Sequence, residues 1–147
     1  MEIKLLSTDR PISIDYVFQT DVESIGTIDA NNRSVIFKAG KDWNAIATTI
    51  GTIDFQEPPP ETTAAGTIFS SKLSAVCPGH EESTPDDIGS ISGRKALIRI
   101  TYKSGKKKLI GTMNGAPRLY VDTSSNITTS RKIQSNWKST NPNYWLQ

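Results

Sequence analysis

Residues 94–122 read RKALIRITYKSGKKKLIGTMNGAPRLYVD, and this stretch decides the fold class. Ala96, Ile98, Ile100 and Tyr102 point one way while Arg99, Thr101 and Lys103 point the other, the period-2 pattern of a strand with one buried face. Ser104-Gly105 supplies a hairpin turn, because glycine takes the positive φ that a tight turn demands. Residues 106–112 return as the partner strand, Asn114-Gly115 marks a second turn, and residues 118–122 form a third strand. A two-residue loop pairs Leu109 with Ile100, whereas a three-residue loop with a bulge pairs Ile110 with it, and both registers stay open. In one of them Leu97 and Ile110 lie on the outer face, so the sheet carries apolar residues on both sides and must be covered twice.

Working outward, the 147 residues suffice to bury a core without help from metal or disulfide. They predict a single β-rich domain over 1–147, with long loops at 56–66 and 77–93 and an aromatic end at 137–147. The fold class expected is mainly β: an antiparallel β-sandwich or β-barrel with at most one short helix. No apolar run is long enough to cross a bilayer, and the first residues lack a signal peptide's apolar core, so no membrane partner is expected. The single cysteine, Cys77, excludes an intrachain disulfide. The net charge of +2 hides a split. Residues 1–93 hold six basic and fourteen acidic side chains (6 − 14 = −8), and residues 94–147 hold eleven and one (11 − 1 = +10). Such a split favours head-to-tail association of copies, or a solvated acidic region beside a basic sheet.

Ile12, Ile14, Tyr16 and Phe18 mark a strand after Pro11, residues 22–28 a weaker one, and residues 33–38 a compact one closed before Gly40. One helical turn or loop is expected after Gly40, then a strand from about 47 to 55. Pro58, Pro59 and Pro60 interrupt the chain with extended geometry that cannot donate to a sheet. Residues 66–76 alternate with a change of phase between Ile68 and Leu73, which suggests a bulge near Ser70-Ser71. Residues 77–93 read as a long, acidic, mobile loop containing Asp86 and Asp87, of a length that is either disordered or a docking element, and a last strand falls within 124–137. Tyr144, Trp145 and Leu146 must pack on the body or on a partner.

Little of this is catalytic chemistry. Cys77-x-x-His80 is half of a zinc site with no second half, and any triad would need His80, the one histidine. The turn Ser104-Gly105-Lys106-Lys107 lacks the first glycine and the closing Ser or Thr of a phosphate loop. No catalytic residue, metal or cofactor is expected. Lys103, Lys106, Lys107 and Lys108 at the hairpin tip, with Tyr102, Tyr120 and Trp137 as stacking candidates, form a candidate nucleic-acid contact. A solvated turn, or an edge charged against wrong pairing, explains the same lysines.

The order of motifs carries a resemblance. Phe55-Gln56-Glu57 leads to Ala65-Gly66-Thr67, then to Lys72-Leu73 and a Pro-containing loop. Ile98, Tyr102, Ser104-Gly105, Leu109-Ile110-Gly111-Thr112 and Pro117-Arg118-Leu119 follow, and Asn141-Pro142 with Tyr144-Trp145-Leu146 closes the series. Over roughly 50–147 the chain resembles small β-rich proteins encoded among the tail and head–tail genes of tailed phages and prophages of Bacteroides-type bacteria. The triple proline and the lysine-rich tip depart from that pattern. The resemblance implies a non-enzymatic virion subunit, assembled in the bacterial cytoplasm in several copies around a tail or neck. Its partners would be copies of itself and other virion proteins, and its interface residues Pro58, Pro59, Pro60, Asp86, Asp87, Tyr144, Trp145 and Leu146. On this reading, loss of residues 142–147 impairs assembly more than folding. The alternatives are a nucleic-acid-binding module using the basic hairpin, and a tail-tip domain that binds the host surface.

Overall fold

The computed structural model describes residues 9–78, 91–113, 115–121 and 130–146. The strands are β1 (Pro11–Phe18), β2 (Val22–Thr27), β3 (Asn32–Phe37), β4 (Asn44–Ile46), β5 (Asp54–Gln56), β6 (Glu61–Thr63), β7 (Gly66–Pro78), β8 (Ala96–Tyr102), β9 (Lys107–Ile110), β10 (Tyr120–Val121), β11 (Ser130–Ser139) and β12 (Tyr144–Leu146). The larger sheet has the order β2-β3-β12-β9-β8-β1-β4, and the smaller has β10-β11-β7-β5, with β6 also on β7. The chain is a β-sandwich and not a closed barrel. Its one helical element lying wholly within the described residues is the three-residue turn Gln19–Asp21.

That short turn dictates the shape of the larger sheet. It joins β1 to β2, which lie five strand spacings apart in the order. Five spacings of about 4.8 Å make about 24 Å in a flat sheet. The four steps from Phe18 to Val22 reach about 14 Å at full extension. The sheet must therefore curl, and its hollow is filled by Val17, Val22, Leu97, Leu109 and Ala116, backed by Ile25, Val35, Phe37 and Leu146. Its other face meets the smaller sheet through Ile14, Ile98, Ile100 and Ile110 against Leu73, Ala75, Cys77, Val121 and Ile133. Strand β8 is thus buried on both faces, Leu97 in the hollow and Ile98 between the sheets, as its double-sided apolar pattern requires.

The hairpin that anchors the fold adopts neither expected register. Tyr102 N–H donates to the Lys106 carbonyl, leaving a three-residue loop with Gly105 at φ 93°. This places Lys108 opposite Ile100 and Ile110 opposite Ile98. Gly105 occupies the left-handed position closing the loop, one residue later than a Ser104-Gly105 two-residue turn would have it. The expected third strand of the meander is also corrected. After the second turn the chain meets the start of β8 through the Lys95–Arg118 bridge and the Ala96 N–H donated to the Pro117 carbonyl, then crosses to the smaller sheet as β10.

Three further expectations change. Residues 41–55 hold no helical turn and no long strand. Asn44–Ile46 pairs with β1, and a turn with Gly51 at φ 78° leads to β5. Strand β7 has no bulge against β11, since the register from Phe69 to Pro78 is unbroken. Its inward side chains are Ser71, Leu73, Ala75 and Cys77, mostly small, so the large residues Ile68 and Val76 gave a false change of phase. A real bulge falls in β1 between Pro11 and Ser13, and it leaves Ile12 exposed. The proline-rich break is shorter than 56–66 because β6 lies within it.

Candidate functional site

Tyr144, Trp145 and Leu146 form a strand inside the larger sheet, antiparallel to β9 and parallel to β3. Leu146 reaches into the hollow, Trp145 meets Tyr102 edge-on at 5.8 Å, and the Arg33 guanidinium lies 3.7 Å from the Tyr144 ring centre. These residues complete the chain's own sheet, and all three are half-buried in it. Within that parallel pairing, Trp145 N–H donates to the Asn31 carbonyl at 2.9 Å.

The basic hairpin is less cationic than its residues suggest. Lys108 Nζ lies 2.6 Å from Glu57 Oε1 and packs over the Trp145 ring at 4.5 Å. Asp9 accepts hydrogen bonds from the Ser104 backbone N–H at 3.0 Å and the Ser104 hydroxyl at 2.9 Å, which sets a carboxylate on the tip. Lys103 and Lys106 stay exposed, and Lys107 is half-buried. The stacking candidates divide: Tyr102 belongs to the larger sheet, Tyr120 and Trp137 to the smaller.

The acids at the tip also act on Tyr102. Burial first, and then the charges of Glu57 and Asp9, push its hydroxyl up to about 12 from the ordinary value of 10.0. Below pH 10 the hydroxyl is protonated in both folded and unfolded chains. Between about pH 10 and 12 the unfolded chain releases a proton that the folded chain retains, so stability falls as pH rises across that window. Tyr102→Phe is expected to flatten this loss, read as the change in thermal midpoint between about pH 9 and 11. In an absorbance titration it removes a tyrosine that ionises at about pH 12.

The prolines build a bridge between the sheets. Strand β7 pairs with β5 up to Gln56–Lys72 and with β6 from Glu61–Ile68. Between them residues 57–60 arch away, and Phe69–Ser71 have no strand partner on that side. Glu57, at the foot of the arch, reaches the larger sheet twice. One oxygen takes Lys108, and the other accepts from Asn143 Nδ2 at 2.9 Å. Asn143 Nδ2 also reaches Ser71 Oγ at 2.6 Å, while its buried Oδ1 meets no donor among the described residues. Pro59 and Pro60 stay exposed, and Pro58 is half-buried. Asp86, Asp87 and His80 lie outside the described residues. Cys77 is fully buried between the sheets. Among the described residues no three acidic, His or Cys side chains gather as metal ligands, and no helix is long and apolar enough to cross a membrane.

The arch opens a groove of about 600 Å³ lined by Pro58, Glu61, Ser70, Lys72, Asn136 and Trp137, among others. A second depression of about 170 Å³ shares Lys72 and Asn136 with it and adds Asp54, Gln56 and Gln134. Together they run along the outer face of the smaller sheet, where Lys132, Gln134, Asn136 and Lys138 alternate with inward Ile133, Ser135 and Trp137. Of the residues lining the groove, only Pro58 and Trp137 were singled out as site residues from the sequence. The signal was the run of amides and lysines at every second position of residues 132–138.

Comparison with protein-family models, with curated proteins and with solved structures found no match.

Proposed function

We propose that the protein is a non-enzymatic structural subunit of a phage virion, built into the tail or neck in several copies and held by loops rather than by its terminal strand. The observation that carries the reading is Ile50. It stands 95 % exposed at the tip of the turn between β4 and β5. That turn is pinned to β7 on both sides. Thr49 N–H donates to the Val76 carbonyl at 2.7 Å, and Val76 N–H donates to Thr52 Oγ1 at 3.1 Å. An apolar side chain held rigidly in water gains free energy when a neighbour covers it, and little ordering entropy opposes that. The charge split adds long-range steering between copies.

The resemblance to tail and neck proteins supports the same reading at the level of shape. Its residues fall on joints of the sandwich: the Ser104-Gly105 turn, Gly111 at φ 113°, and the strand at Tyr144–Leu146. The exposed prolines 59 and 60 remain contact candidates, whereas Lys108 and Glu57 are paired within the chain. The nucleic-acid alternative gains no observation, because carboxylates sit at both ends of the basic hairpin.

The test is mass in solution. Sedimentation equilibrium or native mass spectrometry of the wild type should show multimers at micromolar concentration. Ile50→Glu should shift the population to monomer without changing the urea midpoint. A wild type that stays monomeric at all concentrations, or an Ile50→Glu variant with the same assembly, overturns the reading.

A further inference from the structure

The hollow of the larger sheet opens to solvent beside the end of β9. A depression of about 260 Å³ lies there, lined by buried Leu109 and Gly111 and by half-buried Ile25, Met113 and Tyr144. Three of these, Ile25, Leu109 and Met113, belong to the apolar cluster of the hollow itself. The strand register brings a cation to the same face. Arg33 stands opposite Leu146, whose side chain reaches into the hollow, and Tyr144 shares that face two residues earlier.

Arg33 is the one charged side chain among the described residues of this lining. Its Nη1 donates to the Asp29 and Asn32 carbonyls at 2.6 and 3.0 Å, and its guanidinium rests 3.7 Å from the Tyr144 ring centre. The Nε and Nη2 donors meet no acceptor among the described residues. The acid of the same turn is engaged elsewhere: Asp29 accepts from the backbone N–H groups of Asn31 and Asn32 and from Asn32 Nδ2. Arg33 is thus held in place by one nitrogen and one ring, with a two-donor edge left over. Asn141, at the rim, has a side-chain amide with no partner among the described residues.

This combination selects among ligands. The Nε–Nη2 edge of a guanidinium matches the two oxygens of a carboxylate. A phosphate dianion calls for a second cation, which the lining lacks. A neutral apolar molecule would cover the guanidinium edge without satisfying it, at a cost in lost hydration. A monoanion with an apolar body meets both conditions, its carboxylate on Arg33 and its body on Ile25, Met113 and Tyr144. The volume falls just below the ~300–1,000 Å³ of drug-sized sites, so the body is one ring or a short branched chain. Because Arg33 is already anchored, little side-chain freedom is lost on binding.

We propose that the mouth of the hollow, at Arg33 and Tyr144, binds a small carboxylic acid with an apolar tail. The site goes beyond the assembly reading and does not rest on it, since Ile50 does not line the depression.

The experiment is a nuclear magnetic resonance titration of the full chain with phenylpropionate and with hexanoate. Phenylpropanamide, inorganic phosphate and acetyl-leucine serve as comparisons. At least one of the two acids should shift the Met113 and Ile25 methyl signals and the Arg33 Nε–H at millimolar concentration. The amide, which has the same body without the charge, should bind on the order of tenfold more weakly. Arg33→Lys keeps the charge but loses the planar fork, and should also weaken the acid on the order of tenfold. Asn141→Ala, at an exposed position, should weaken it with the rest of the spectrum unchanged. The proposal is overturned if neither acid moves those signals, if the amide or phosphate binds as tightly, or if Arg33→Lys leaves the affinity of the wild type. Binding of acetyl-leucine alone would also overturn it, assigning the mouth to a peptide end instead of a free acid.

Discussion

Deletion of residues 142–147 is expected to abolish the cooperative unfolding transition. The deleted segment is the strand between β9 and β3, hydrogen-bonded on both sides. Without it the β2–β3 hairpin has no neighbour in the larger sheet, since β3 pairs only with β2 and β12. The hollow loses Leu146, worth about 1.5–3 kcal/mol if fully sequestered and less here because it is half-buried. The Trp145–Tyr102 edge contact contributes about 0.5–1.5 kcal/mol more, and the Tyr144–Arg33 contact about 0.5–1 kcal/mol. Added to two lost ladders, the total approaches the 5–15 kcal/mol of net stability a domain holds, so roughly all of it. The measurement is urea unfolding followed by near- and far-ultraviolet circular dichroism. A sharp transition at the wild-type midpoint would show that β12 is dispensable. Trp145→Ala provides the graded case, with an expected cost of about 2 kcal/mol, below the 3–5 of a fully buried tryptophan.

Gly111→Ala is expected to destabilise the chain by about 2–6 kcal/mol. Two effects add at this position. The backbone holds φ 113°, which costs an L side chain about 1–3 kcal/mol. A Cβ there would stand 2.6 Å from Leu97 Cδ2 and 3.0 Å from Pro117 Cδ. Leu97 is fully buried in the hollow and has nowhere to move, so overpacking adds about 1–3 kcal/mol. Gly105→Ala separates the two effects. Its φ is 93° but an added Cβ there meets nothing within 4 Å, so it should cost only the backbone part. Equal midpoints for the two variants would remove the packing argument.

Where large apolar residues alternate with polar ones, the strands could be read directly. Residues 11–18, 22–27, 32–37 and 96–102 all stand as strands in the positions their patterns indicate. Strand β7 was legible as a strand but not in phase, because its core side chains Ser71, Ala75 and Cys77 are small. A turn signal such as Asn114-Gly115 says that the chain reverses, not which sheet receives it, and so β10 was assigned to the wrong neighbour. The candidate site shows the same division. The lysines of the hairpin are visible in the sequence, but Glu57, 51 residues from Lys108, becomes their partner only through the fold. The groove under the arch draws on Pro58 and on residues of β6, β7 and β11, and only its β11 share has a local pattern.

The parallel pairing of β12 with β3 joins Trp145 to Asn32, 113 positions apart (145 − 32). Such distant partners meet slowly, because the entropy of closing the intervening chain is lost before any contact repays it. While that search runs, β3 and β9 present bare edges that other unfinished copies can pair with. The vulnerability of this topology therefore lies in the time taken to fold, and crowding by identical chains or shelter by a chaperone will decide the yield more than the depth of the final energy well.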